Sequence, residues 1–116
     1  MAVRTSLLAA VLTMLLAGCA GQAGSLGGDK PPAMTVTDYY EYCSALPGPD
    51  ACLSDPVCNR FKQELSQPPT ALSACLAMCR KTGDDLYVAN LTNGCGGILD
   101  RAIDLCDQFC RRRDPS

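Results

Sequence analysis

The chain of 116 residues contains no histidine and no tryptophan, and its aromatic complement is four tyrosines and two phenylalanines. Without imidazole there is no ordinary general base at neutral pH, so a serine or cysteine nucleophile would need a lysine or a carboxylate instead. Lys62 and Lys81 occupy ordinary helix-surface contexts, and neither Ser-x-x-Lys nor Gly-x-Ser-x-Gly occurs. Cys-x-x-Cys is also missing, which removes both the redox motif that lowers a thiol pKa at a helix start and the usual zinc half-site. No stretch alternates long enough to build a sheet, and nothing repeats beyond a pair of Cys-x-x-x-Cys spacings. The formal net charge is −2, and such a chain lacks the broad basic face that nucleic acid demands.

The longest apolar run, Leu7 to Ala17, is interrupted only by Thr13. At eleven residues it is too short to span a bilayer as a helix and suits the core of a signal peptide, with Arg4 as the positive charge before it. It closes on Leu16-Ala17-Gly18-Cys19, which resembles the lipobox of bacterial lipoproteins. That resemblance implies a signal peptide over residues 1–18, cleavage before Cys19, and acylation of Cys19 as the anchor to a lipid bilayer. Ala20 differs from the aspartate that resembles an inner-membrane retention signal. If the source has two membranes, outer-membrane placement, facing the periplasm or the surface, is therefore expected. The following residues, Ala20 to Pro32, are rich in Gly, Ala, Ser and Pro and read as a tether with a reach of about 20 Å. Residues 19–34 thus form the anchor and linker, and residues 35–116 the folded domain.

Cysteine parity fits that division. There are nine, at 19, 43, 52, 58, 75, 79, 95, 106 and 110. An odd count in a secreted chain leaves one thiol to explain, and lipid on Cys19 accounts for it. Eight cysteines in so short an exported domain read as four disulfides, because a small core needs help against chain entropy. Cleavage would leave 98 residues and, without Arg4, a net charge of −3, enough for one small domain.

The punctuation predicts four helices. Thr37 is a plausible cap for a helix over Asp38 to Leu46, ended by Pro47-Gly48-Pro49. Asp55 with Pro56 opens a second helix through Phe61 and Leu65 that stops before Pro68-Pro69. Thr70 caps a third, which either continues on Leu72, Leu76, Cys79, Gly83, Leu86 and Asn90 or breaks at Thr82-Gly83 and restarts at Asp84 or Asp85. The last contains Leu99, Ala102, Ile103, Cys106, Phe109 and Cys110 and ends at Arg111-Arg112-Arg113, which complement the negative end of its dipole. The fold class is an all-α domain of two helical hairpins after a flexible tether.

The third and fourth helices each carry Cys-x-x-x-Cys, with both sulfurs on one face. Two such helices suggest an antiparallel hairpin stapled by Cys75–Cys110 and Cys79–Cys106. Both pairs are centred between Thr92 and Asn93, and Leu91-Thr92-Asn93-Gly94 is a turn signal. Cys43–Cys58 would close the neck of the first hairpin. Cys52 and Cys95 remain, and a bridge between them would join the hairpins, although about a hundred connectivities are open to eight cysteines. The twin spacing over residues 75–110 resembles the alpha-hairpinin arrangement and, more loosely, the twin-cysteine helical hairpins of the mitochondrial intermembrane space. Soft-metal binding of Cu(I) or zinc by the same four thiols, and redox exchange, are the competing uses.

Asp100, Asp104 and Asp107 share a stripe of the last helix near Asp84-Asp85 in sequence. They lack the alternating ligands and bend glycine of a calcium loop, and they read as a solvated face. The triple arginine has a second possible use against anionic headgroups. Of Tyr39, Tyr40 and Tyr42, at least one must face out, since neighbouring helical positions cannot all point inward. Asn90-Leu91-Thr92 matches a glycosylation sequon, which has no use in a bacterium. The functional expectation is a non-catalytic envelope protein without cofactor or bound metal, anchored through Cys19, whose partner is another macromolecule and not nucleic acid. A hydrolase inhibitor presenting the loop from Pro47 to Asp55 is a further alternative.

Overall fold

The computed structural model describes residues 30–113; the expected signal peptide, Cys19, the expected linker up to Asp29 and the last three residues lie outside them. A compact unit begins at Pro32. Its elements are α1 (Val36–Ser44), α2 (Asp55–Leu65), α3 (Leu72–Tyr87), a 3-10 turn (Val88–Asn90) and α4 (Gly96–Arg112). Among the described residues there is no strand, and no helix is long and apolar enough to cross a membrane.

The helix starts differ from the sequence expectation by a residue or two, each for a local reason. Thr35, not Thr37, caps α1: its hydroxyl accepts from the Asp38 N–H at 3.1 Å, and the Asp38 carboxylate accepts from the Thr35 N–H at 2.8 Å. This reciprocal capping box satisfies two donors that a helix end otherwise leaves open. The helix ends at Ser44 and not at Leu46. Ser54 takes the cap position of α2, so Asp55 is its first residue and Pro56 falls in the first turn. Ala71, not Thr70, precedes α3; the Thr70 carbonyl instead accepts from the Arg113 guanidinium at 2.8 Å.

The capping box makes α1 sensitive to acid. Hydrogen bonds from the Thr35 backbone and then its hydroxyl favour the charged form of Asp38, holding its carboxyl below its ordinary value. The unfolded chain therefore binds that proton more readily. This contribution is complete above the unfolded carboxylate pKa and is lost as pH falls through the lower folded value. Thermal melts should show stability declining below about pH 4, and Asp38→Asn, which removes the titrating group, should flatten that decline. Parallel acid profiles for the two proteins would contradict the assignment.

α3 does not break at Thr82-Gly83; it runs on to Tyr87 and tightens into the 3-10 turn. Gly83 is what lets α3 and α4 approach here, since a Cβ on it would lie 2.5 Å from Ile103 Cδ1. The buried face of α3 is Cys75, Cys79, Thr82 and Gly83. Of the expected stripe, Cys79 and Gly83 are buried, Leu76 and Leu86 are partly covered against the core, and Leu72, the first residue of the helix, is exposed. On α4 the buried face is Ile98, Leu99, Ala102, Cys106, Phe109 and Cys110. Asp100 and Asp104 are exposed, whereas Asp107 is partly covered and one of its carboxylate oxygens, Oδ1, is buried with no hydrogen-bond partner.

The core joins all four helices around Tyr39, Phe61 and Leu65, each fully buried. The Tyr39 ring lies 6.1 Å from that of Phe61 and its hydroxyl donates to the Ala102 carbonyl at 3.1 Å, tying α1 to α4. Burial pushes the Tyr39 phenol far above its usual range, which keeps it a neutral donor. Tyr40 is half-buried, with the Lys62 ammonium 4.5 Å above its ring, and Tyr42 is exposed. Met34, expected in the linker, is buried, and its N–H donates to the Arg112 carbonyl at 3.3 Å.

Candidate functional site

All eight domain cysteines are paired, as Cys43–Cys58, Cys52–Cys95, Cys75–Cys110 and Cys79–Cys106, with Cα separations of 5.7, 5.0, 5.8 and 5.7 Å. Cys43 on α1 and Cys58 on α2 close the first hairpin. Two bridges one helical turn apart lock α3 against α4. Cys52–Cys95 ties the loop of the first hairpin to the turn of the second. Disulfide stabilisation acts mainly by restricting the unfolded chain, which leaves the folded surface free for other work.

The contacts place both connecting loops at one end. Arg101 donates to the Pro47 carbonyl, Gly48 sits under Ile98, and Gly94, at φ +82°, packs on Pro49. The chain enters at the other end, where the Arg112 guanidinium donates to the Pro32 carbonyl at 3.2 Å and Arg113 to that of Thr70. Two of the three arginines are therefore engaged in holding the base together, and Arg111 is exposed. The helices run up, down, up and down between base and tip. At 16 residues, α3 separates the two ends by about 24 Å.

Four of the six large apolar side chains exposed among the described residues are at the tip, the other two being Tyr42 and Leu72. Leu53, Tyr87, Val88 and Leu91 are between 56 and 76% exposed. Leu91 stands four positions after Tyr87 and three after Val88, so it neighbours both along the extension of α3. Tyr87 and Leu91 flank a cleft of about 190 Å³ whose other walls are Asn90, Gly96, Leu99 and Asp100. Leu53 belongs to the same end, its carbonyl 3.7 Å from Cys95 Sγ. The turn is held in place by Asn90, which donates to the Leu86 carbonyl and accepts from Asn93, while Asn93 in turn accepts from the Cys95 N–H. Neither Asn90 nor Asn93 was singled out by the sequence for this role. Acidic Asp50, Asp84 and Asp100 are exposed around the same end; Asp85 is paired with Lys81 at 2.7 Å.

A second hollow of about 330 Å³ lies between α1 and α4, lined by Met34, Tyr42, Leu46, Leu105, Gln108 and Arg112. The sulfurs of Cys79, Cys106 and Cys110 lie within 4.8 Å of one another, all buried. Such a triad offers metal-like spacing, but a soft cation needs thiolates, and each of these sulfurs is spent in a disulfide. Searches of the chain against protein-family models, curated proteins and solved structures find no match.

Proposed function

We propose that this is an exported lipoprotein, held at a membrane by lipid on Cys19, whose helical domain binds another envelope macromolecule through its tip. The observation that carries this reading is the cluster of Leu53, Tyr87, Val88 and Leu91, large apolar side chains exposed at the end farthest from where the chain enters. Exposed apolar groups gathered in one place mark contact surfaces. Four disulfides keep the surface organised, so binding orders little chain. The surrounding carboxylates favour a partner with basic groups beside an apolar centre.

Two measurements test it. Cys19→Ala should move the protein from the membrane to the soluble fraction and remove the lipid mass; an unchanged distribution would refute the anchor. A photoreactive residue at Val88 should give a discrete envelope adduct that the same probe at Asn59, on the surface of α2, does not give. Equal labelling at both positions would remove the tip from the interface. A hydrolase inhibitor would use the same end, with Leu53 on a loop pinned by Cys52; loss of a candidate enzyme's activity on adding the domain separates that partner class from others. The sulfur triad favours one further reading, soft-metal binding. It requires alkylatable thiols and bound metal in protein purified without reductant.

A further inference from the structure

The two staples of the second hairpin are not equivalent. Cys79 Sγ lies 3.6 Å from Cys110 Sγ, which belongs to the neighbouring disulfide. Cys79, Cys106 and Cys110 form the close sulfur group, and Cys75 is not a member of it. Cys110 is also the outermost of the four, at 5% exposure against 0% for the other three. Thiol–disulfide exchange needs only a thiolate in contact with a disulfide sulfur and access for the first attack. Cys110 lies against the neighbouring disulfide and, although buried, is the only one of the four with any exposure, so a first attack there needs the least opening of the structure.

We propose that the second hairpin carries a thiol–disulfide exchange path entered through Cys110 and leading by way of Cys79 to Cys106. An external dithiol attacks Cys110 Sγ, forms a mixed disulfide there and expels Cys75 as thiolate, which takes a proton from water. The second sulfur of the dithiol then closes on the first and releases Cys110 as thiolate. The dithiol is thereby oxidised by two electrons and one protein disulfide is reduced. The Cys110 thiolate attacks Cys79 Sγ; the Cys79–Cys110 bond forms, the Cys79–Cys106 bond breaks, and its electron pair leaves on Cys106, which is protonated by water. This last step consumes no reductant. It exchanges the thiol of the least buried of the four cysteines for a fully buried one while a diagonal bridge still joins α3 to α4. The substrate class is a dithiol, small or borne by an exported oxidoreductase, and the path does not depend on what the tip binds.

Cys75→Ser and Cys110→Ser each delete the same staple and leave one thiol, so they share whatever stability is lost. Both are held at mildly alkaline pH without reductant, quenched with acid, alkylated, and mapped by tandem mass spectrometry without reduction. In C75S the label should divide between Cys110 and Cys106, with a Cys79–Cys110 linked peptide. Cys106 labelling should exceed that in C110S by roughly tenfold, because Cys75 lies outside the close sulfur group. Label on Cys110 alone in C75S, or equal Cys106 labelling in both, would overturn the path. If neither variant accumulates, substoichiometric dithiothreitol on the unaltered protein decides the matter: the Cys79–Cys110 peptide is expected, and native linkages alone would refute it.

Discussion

Phe61→Ala should lower the unfolding free energy by about 3–5 kcal/mol, the range for deleting a fully buried aromatic side chain. Phe61 is 0% exposed, on α2, beside Tyr39 of α1 and within the same core as Leu99 and Ala102 of α4. The neighbours are held by covalent bridges at Cys43–Cys58 and along α3 and α4, so they cannot easily collapse into the space left behind. Incomplete relaxation is the condition under which a cavity costs most. Total stabilities of about 5–15 kcal/mol are usual, so the loss should be conspicuous in urea melts. A shift below about 1 kcal/mol would mean that the site repacks and that the frame is softer than four disulfides imply.

Removing Cys52–Cys95 by paired alanines should cost about 4 kcal/mol, and should do so differently. Its partners are 43 residues apart, the longest separation of the four, and it is the only bridge between the hairpins. Most of its effect lies in the unfolded chain, which without it spreads further and exposes more surface. The denaturant dependence should therefore steepen while the midpoint falls, a combination that Phe61→Ala should not produce. An unchanged slope would place the effect in the folded tip instead. The bridge also holds the Leu53 loop against the 88–95 turn, so tip crosslinking from Val88 should weaken in the same variant.

The four helices were legible because punctuation and periodicity agreed. Pro47-Gly48-Pro49, Pro68-Pro69 and Leu91-Thr92-Asn93-Gly94 separate segments with apolar residues at helical spacing. The caps were less so. Thr35, Thr37 and Thr70 are all chemically able to cap, and only the chain path shows that Asp38 reaches back to Thr35 while Arg113 crosses to Thr70. Helical spacing marks most of the covered side of α3, since Cys79, Gly83 and Asn90 are buried and Leu76 and Leu86 pack on the core, and only Leu72 departs from it. Leu72 shares the face of Cys75 and Cys79 but is the first residue of α3, and there it stays 46% exposed. Met34 carries no signal of burial beyond its own side chain; its place depends on Arg112, far away in the chain. The tip could not be seen while the course of α3 past Gly83 stayed open, since Leu91 neighbours Tyr87 and Val88 only if the helix continues. Likewise, the asymmetry among the four stapling sulfurs depends on how α3 is rotated against α4, and spacing alone treats both pairs alike.

The hydrogen bond from the Met34 N–H to the Arg112 carbonyl has a practical corollary. It brings the two ends of the packed region side by side. Neighbouring ends are the geometry that tolerates circular permutation and insertion into a host loop. A short linker can close them into a ring, and the ring can be reopened in the exposed segment around Ser66 and Gln67 without cutting between any bridged pair in α3 and α4. The bundle is thus a portable cassette, able to carry its apolar end on a different carrier.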